Sequence, residues 1–277
     1  MALPPLIRSL ALSCHPLPSV AVAAISAGLA ALADLSLGRG ALVTATVFAG
    51  QLSIGWSNDY LDAERDRAAG RADKPLATGA LEPRVVGAAA VIALSLTVVL
   101  AASLGWPGGA IALGTLLAAW GYNLGLKATS LSWLPYAIAF GLAPAVVTLS
   151  ASPPRWPAAW TLAAGALLGM AAHLANVLPD LADDVVRGIR GLPHRIGARA
   201  TALTAAALLL AASAVILFGP SGQPGLWRWA GFAVALVVAG VAVRVAYRDS
   251  SSRRFFVAII LIASLDLVSF ALAGVRL

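Results

Sequence analysis

Cysteine, histidine and charged side chains are scarce in this sequence. Of its 277 residues, one is cysteine, three are histidine and only 11% are charged. The single cysteine, Cys14, excludes an internal disulfide and a cysteine-rich metal cluster. Soluble domains contain roughly 25% charged residues, whereas 60% of this chain is hydrophobic. These deficits exclude an ordinary soluble protein and indicate a protein whose main solvent is lipid.

The apolar residues form long runs that predict transmembrane helices. A bilayer-spanning helix needs about 20 mostly apolar residues, and a lipid-exposed segment must satisfy its own backbone hydrogen bonds. Charged residues, proline or glycine bound the runs, which predict helices over 17–33, 41–57, 83–104, 107–124, 131–150, 158–178, 199–218, 225–247 and 254–274. The expected fold is an all-α polytopic bundle of about nine transmembrane helices in one integral membrane domain over 1–277.

The basic residues predict the orientation of this bundle. Nine spans place the termini on opposite sides, and fifteen of the nineteen Lys and Arg residues then lie on the side of the N-terminus. The positive-inside rule makes that side cytoplasmic, and we expect a multi-pass protein of a bacterial cytoplasmic membrane. Although the net charge is +7, no basic stripe lies on a soluble face, so we expect no nucleic-acid binding.

Seven of the twelve acidic residues lie in two short windows that share one spacing. The first has the pattern Asn58-x3-Asp62-x3-Asp66-x3-Gly70-x4-Pro75. The second has the pattern Asn176-x3-Asp180-x3-Asp184-x3-Gly188-x4-Pro193, 118 residues later. A fixed offset indicates an internal duplication. We therefore predict two parallel four-helix repeats plus one helix, with both windows in cytoplasmic loops at 59–82 and 179–198.

The spacing of these windows predicts their chemistry. Residues four apart lie on one face of a helix, so each window offers an asparagine and two carboxylates in one stripe. Mg²⁺ prefers oxygen ligands and usually takes one or two carboxylates plus substrate phosphates. The candidate catalytic residues are Asn58, Asp62, Asp66, Asn176, Asp180 and Asp184. Their four aspartates are the candidate metal ligands, with Asp59 and Asp183 as further candidates.

Cations interleave with the carboxylates, and a metal site alone does not require them. Arg forks match phosphate oxygens and Lys neutralises them as a point charge, so Arg67, Arg71, Lys74 and Arg190 are candidate diphosphate ligands. The alternative is that both windows are solvated connectors whose charges pair with one another. The matched spacing favours the metal and diphosphate interpretation.

These motifs resemble those of the UbiA-type membrane prenyltransferase superfamily. Asn58-Asp59-x-x-Asp62-x-x-x-Asp66, continued by Gly70-Arg71-x-x-Lys74-Pro75-Leu76, looks like its first Asp-rich motif, and Asp180-x-x-x-Asp184 looks like the second. Gly188-x-Arg190-Gly191-Leu192-Pro193-His194-Arg195 is similar to the segment after that motif. Tyr122-Asn123-x-x-Leu126-Lys127 is similar to the Tyr/Lys segment after the fourth helix, which adds Tyr122 and Lys127 to the candidate diphosphate ligands. The resemblance covers nearly the whole chain.

The resemblance implies a helical bundle with a central cavity and a defined reaction. A prenyl diphosphate would lie with its tail in the apolar cavity and its diphosphate on Mg²⁺ at the cytoplasmic end, and a lipophilic or aromatic acceptor would attack the allylic cation. The alternative on the same scaffold is a terpene cyclase, which needs no acceptor. Gln51 and His173, polar residues on predicted helices, are weaker candidates for the acceptor site or the cavity wall. The oligomeric state is left open.

A secondary transporter is a competing function of a different class. Internal repeats and membrane-associated acidic residues are typical of transporters, but their ion sites lie near the bilayer midplane. The acidic residues of this chain lie at predicted helix ends, among Arg and Lys residues that would repel a coupling cation. This position favours a phosphate site over a transport site.

Overall fold

The computed structural model of the chain describes residues 5–186, 188–248, 257–258, 260–262 and 264–265. Within that part it is all-helical, with ten α-helices, and the all-α prediction is confirmed. The helices are α1 (Pro5–Ser13), α2 (Pro16–Leu32), α3 (Leu37–Ala68), α4 (Pro83–Ser103), α5 (Trp106–Leu124), α6 (Leu134–Leu149), α7 (Ala159–Val177), α8 (Leu181–Val186), α9 (Leu192–Phe218) and α10 (Leu226–Arg248). Short 3-10 turns cover Leu126–Ala128 and Leu178–Asp180.

Several of these helices are long and apolar enough to cross a membrane. In the described part of the chain four qualify: Pro83–Ser103, Ala159–Val185, Leu192–Phe218 and Leu226–Val245. Helices α1 and α2 meet at a 66° bend and would make a fifth if they form one span. The helix expected at 254–274 falls largely outside the described residues, so the number nine stays a prediction.

Helix α3 extends well beyond its predicted end. The sequence predicts a helix over 41–57 followed by a loop, whereas α3 continues to Ala68; the expected loop is wrong for residues 59–68. Residues 59–68 include Leu, Ala, Glu and Arg, which favour helix, and Arg65 pairs with Asp62 one turn away. The first acidic window therefore lies on a continuous helix.

The second window is less regular than the first. Helix α7 ends at Val177, the 3-10 turn Leu178–Asp180 follows, and α8 begins at Leu181. Pro179 lies inside that turn and has no backbone N–H to donate to the preceding turn. Asn176, Asp180 and Asp184 consequently lie on three successive segments of one helical run, Ala159–Val185. The loop expected at 179–198 is wrong where α8 and the start of α9 are helical.

Both windows nevertheless end in the same hydrogen-bonded cap. Gly70 has φ +64° and Gly188 has φ +78°, values that favour glycine. The Gly70 and Arg71 amides donate to Arg67 and Asp66 carbonyls, each at 3.1 Å. The Gly188 and Ile189 amides donate in the same way to Val185 at 3.1 Å and Asp184 at 3.0 Å. This pair of bonds is the Schellman motif, so the shared Asp-x3-Gly spacing corresponds to a shared helix ending.

Glycines bring α6 and α7 into close contact. A Cβ added at Gly165 would lie 2.4 Å from the Phe140 carbonyl oxygen, and one added at Gly169 would lie 2.4 Å from the Tyr136 carbonyl oxygen. Small residues permit such close helix packing in membrane proteins. The contact fixes α6 beside the face of α7 that carries Asn176.

Candidate functional site

Both acidic windows open onto one cavity of about 390 Å³. Its wall is built from α2, α3, α5, α6, α7, α8, α9 and the connections between them. The predicted site residues that line it are Gln51, Asn58, Asp62, Asp66, Arg71, Lys74, Tyr122, Lys127, His173, Asn176, Asp180 and Asp184. Residues 118 positions apart in sequence therefore share one site.

Four predicted site residues are not in the cavity wall. Arg67 is exposed and donates to the Leu76 carbonyl at 3.3 Å, and Arg190 is exposed on the connection before α9. Asp183 is exposed on α8. Asp59 is buried and contacts His15 and Lys74. Their roles as ligands stay predictions.

Lys127 and Asp62 form the closest charged contact in the cavity wall. The Lys127 ammonium donates to both Asp62 carboxylate oxygens, at 2.7 and 2.6 Å. Lys127 is only 7% exposed, and burial lowers its pKa whereas the charge of Asp62 opposes that change. The 3-10 turn after α5 thus holds a desolvated cation directly over the first window.

Arg71 connects the two windows. Its Nη1 lies 3.3 Å from Asp180 Oδ1, and its Nε and Nη2 donate to Asp73 at 2.8 and 2.9 Å. These hydrogen bonds from Arg71 lower the pKa of the Asp73 carboxyl to about 2. Asp73 therefore stays ionised and holds the guanidinium between the windows.

Asn123 orients Asn58, the first residue of the first Asn-x3-Asp-x3-Asp stripe. Asn58 Nδ2 donates to Asn123 Oδ1 at 3.2 Å. Asn123 Nδ2 in turn donates to the Ile54 carbonyl at 2.9 Å and to Ser57 Oγ at 2.8 Å. These bonds fix α5 against α3 and leave Asn58 in the cavity wall.

The second window meets an aromatic group. The rings of Tyr122, Tyr136 and His173 lie with centroids 5.1 to 5.7 Å apart, and Asn176 Nδ2 donates to the Tyr136 hydroxyl at 3.5 Å. His173 is fully buried, and its Nε2 lies 3.0 Å from Ser132 Oγ. The cavity therefore changes from charged at Asp180 to aromatic at His173, seven residues earlier in the chain.

The family model for the UbiA prenyltransferase family matches residues 18–265. The chain belongs to this family. Family membership and the apolar helices together identify it as an integral membrane protein. The resemblance inferred from the two acidic motifs is thereby confirmed.

Solved structures share the fold of this UbiA family member at low sequence identity. A UbiA homolog from Aeropyrum pernix K1 has a TM-score of 0.74 at 19% identity, over 94% of this chain and 98% of that one. A UbiA homolog from Archaeoglobus fulgidus bound to DMAPP and Mg²⁺ has 0.73 at 15%, over 96% and 99%. A structure from work on digeranylgeranylglyceryl phosphate synthase has 0.68 at 16%, over 98% and 99%. None of the curated protein sequences is significantly similar to this chain.

The structure adds residues to the UbiA-type site that the sequence pattern missed. His15 caps α2 with φ +55° and lies 3.0 Å from Asp59, which also accepts from Lys74 at 2.5 Å. His194 lies 3.3 Å from Asp184. His194 lies in the segment that carries the family resemblance, whereas His15 is 44 residues from Asp59 and no spacing connects them.

The carboxylates of the cavity suit a metal ion whose coordination shell is completed by oxygens of a substrate. Among the described residues, no group of three or more His, Cys, Asp or Glu could hold a metal ion alone. Asp62, Asp66, Asp180 and Asp184 instead line the cavity as separate oxygen donors. Mg²⁺ commonly binds through one or two carboxylates and completes its shell with phosphate oxygens and water, so this donor set fits Mg²⁺.

We predict that Asp59 stabilises the fold and does not ligate metal. Asp59 is 2% exposed and contacts Lys74 and His15, so Asp59→Asn leaves the Lys74 ammonium, which is 15% exposed, without its anion. Breaking a buried pair costs about 3 kcal/mol. We expect a lower unfolding temperature in detergent, with an unchanged Mg²⁺ concentration dependence of donor binding. Glu64→Gln serves as the control, because Glu64 is exposed on α3 and does not line the cavity. Unchanged stability with weakened Mg²⁺ dependence in Asp59→Asn would contradict the prediction.

Proposed function

We propose that this protein is a Mg²⁺-dependent prenyltransferase that moves a prenyl group from a prenyl diphosphate to a lipophilic or aromatic acceptor within the membrane. One observation carries the proposal: two acidic windows and several cations converge at one end of a largely apolar cavity. Family membership supports it, as does the similarity to a UbiA homolog bound to DMAPP and Mg²⁺. The chain then forms a single membrane domain over 1–277.

Arg71, Lys74 and Lys127 would bind the diphosphate. Each lines the cavity and contacts a carboxylate: Arg71 contacts Asp180, Lys74 contacts Asp59 and Lys127 contacts Asp62. A bound diphosphate gives these cations phosphate oxygens in place of, or in addition to, the carboxylates. Tyr122 closes the wall between this group and the aromatic group around His173.

Asp62 and Asp66 in the first window and Asp180 and Asp184 in the second would hold Mg²⁺, with Asn58 and Asn176 beside them. Bound there, Mg²⁺ supplies charge neutralisation to the departing diphosphate. Paired carboxylates are released for this task when their cations turn to the phosphate oxygens. Each carboxylate would then face the metal and each Lys or Arg a phosphate oxygen, so no charged group in the cavity loses its partner.

The reaction breaks the bond between C1 of the prenyl group and the diphosphate oxygen, and the diphosphate leaves with the electron pair. The acceptor then forms a bond to C1 and loses a proton. The rings of Tyr122, Tyr136 and Phe140 line the cavity beside Asn176, where their faces can stabilise an allylic cation. Apolar walls exclude the water that would quench this cation. Gln51 and His173 are the candidates to contact the acceptor.

The acceptor requirement distinguishes transfer from the terpene cyclase alternative. Purified protein is incubated with Mg²⁺ and a series of prenyl diphosphates, with and without candidate phenolic and lipid acceptors. We expect diphosphate release to rise with the correct acceptor, and mass spectrometry to detect the prenylated acceptor. Efficient conversion of a donor to a cyclic hydrocarbon without any acceptor would replace the transferase proposal by the cyclase.

Asp62 and Asp180 are expected to dominate turnover because they are the middle members of the two stripes. Asp→Asn keeps the side-chain size and removes the charge that holds Mg²⁺, so each change should lower turnover by on the order of 10²–10³. The double variant should lose far less than the product of the single losses, because both residues serve one diphosphate. The measurement is the rate of diphosphate release by each single variant and by the double variant, as a function of Mg²⁺ concentration.

Glu64→Gln is the matched control for these variants. Glu64 lies on α3 between Asp62 and Asp66, is exposed and does not line the cavity, so its loss should leave turnover unchanged. Near wild-type turnover of folded Asp180→Asn at saturating Mg²⁺ would overturn the two-window site.

The proposed orientation has both windows on the cytoplasmic side of a bacterial cytoplasmic membrane, with two parallel repeats. Fifteen of nineteen basic residues on one side support this. Single cysteines at positions 72 and 190, in a Cys14→Ala background, should both react with an impermeant thiol reagent only from the cytoplasm. Labelling of the two positions from opposite faces would contradict the orientation and the shared site. Position 72 is preferred to Gly70, whose φ of +64° disfavours a side chain.

A further inference from the structure

The cavity continues from the charged end into an apolar arm bounded by three helices. On α7, Thr161, Ala164, Gly165, Leu168, Ala172 and Asn176 line it at the spacing of one helix face. On α6, Tyr136, Phe140, Ala143 and Pro144 do the same, and on α2 so do Pro18, Val22, Ile25 and Leu29. Helices α2 and α6 begin near the charged end and α7 ends there, so the three faces bound one passage.

Trp160 lies at the far end of this passage. It is the last cavity-lining residue on α7 in the direction away from Asn176, and Leu29 and Ile216 hold the corresponding position on α2 and α9. Its ring packs with Ile216 and Ala164. A Cβ added at Gly219 would lie 2.6 Å from Trp160 Cγ, so the end of α9 supports the ring closely.

The length of the arm follows from helix geometry. Trp160 precedes Asn176 by sixteen residues, which corresponds to about 24 Å along α7. An extended isoprene unit spans about 5 Å, since its four in-line carbon–carbon bonds are each about 1.5 Å long. A chain whose reacting carbon lies beside Asn176 therefore fits four units, at about 20 Å, before it reaches Trp160, whereas a fifth unit would extend to about 25 Å, past the level of Trp160.

We propose that Trp160 sets the longest donor that this protein accepts, a prenyl diphosphate of about four isoprene units. The inference rests on the proposed function and adds the donor class to it. Trp160 acts as a specificity-determining residue: its ring ends the passage and excludes further units. Smaller neighbours along α7, Ala164 and Gly165, leave the passage open as far as this ring.

Two substitutions should change the length limit in opposite directions. Trp160→Ala removes the end wall, so five- and six-unit donors should bind about tenfold or more tightly than they bind to the unsubstituted protein. Ala143→Phe places a ring seven residues beyond Tyr136, about 10 Å into the passage, and should weaken three- and four-unit donors about tenfold or more while sparing the two-unit donor. Trp156→Ala is the matched control, because Trp156 is 65% exposed and does not line the cavity.

The measurement is Mg²⁺-dependent binding of prenyl diphosphates of two to six units to the full-length protein in detergent, without acceptor. Opposite shifts in Trp160→Ala and Ala143→Phe, with an unchanged profile in Trp156→Ala, support the inference. Unchanged length profiles in both variants overturn it, and Ala143→Phe decides alone if Trp160→Ala does not fold. Failure of the unsubstituted protein to bind any donor overturns the proposed function itself, and is thereby distinguished from an error in the length limit.

Discussion

The carboxylates of the two acidic windows contact basic side chains from other parts of the chain. Asp59 pairs with Lys74 and His15, Asp62 with Lys127, Asp180 with Arg71 and Asp184 with His194. Asp59 is 2% exposed, and a buried charge that loses its partner destabilises a protein by several kcal/mol, so its pairing with Lys74 stabilises the fold. Together the pairs connect α3, the segment after it, the turn after α5 and the start of α9 at one end of the bundle. The positions of these side chains follow from the contacts.

The same pairs explain why the charges can serve both folding and chemistry. Solvated connectors would also pair their charges with one another, so pairing alone does not identify a site. Position does: Asp62, Asp180, Asp184, Arg71 and Lys127 all line one cavity whose other walls are apolar. A diphosphate bound with its divalent cation would offer each carboxylate the metal in place of its Lys or Arg, and each Lys or Arg a phosphate oxygen in place of its carboxylate. In the proposed function, substrate binding therefore exchanges compensated charges without exposing any.

The sequence predicted what spacing determines and missed what tertiary packing determines. The Asn-x3-Asp-x3-Asp stripes, and Lys127 beside them, line one cavity, and their roles as ligands stay predictions. The sequence does not indicate the extension of α3 to Ala68, because charged residues usually end a transmembrane span whereas a helix in water tolerates them. The contact of His15 with Asp59 depends on the bend between α1 and α2, which no spacing in the sequence predicts. The shared glycines belong to the spacing that predicts a repeat, and the structure gives them one common role, in a helix cap.

The two windows share spacing and caps but do not contribute equally. At the offset of 118 residues, Arg71 and Lys74 correspond to Ile189 and Leu192, so the cations of the cavity come mainly from the first half of the chain. The second half supplies two of the three helices that bound the apolar passage, α6 and α7, and α2 supplies the third. Asn176 lies where the two meet, close to the Tyr136 hydroxyl. A donor bound with its diphosphate among the cations and its tail along α7 would have its reacting carbon at this junction. The difference between the two windows thus gives the proposed substrate a single direction in the cavity.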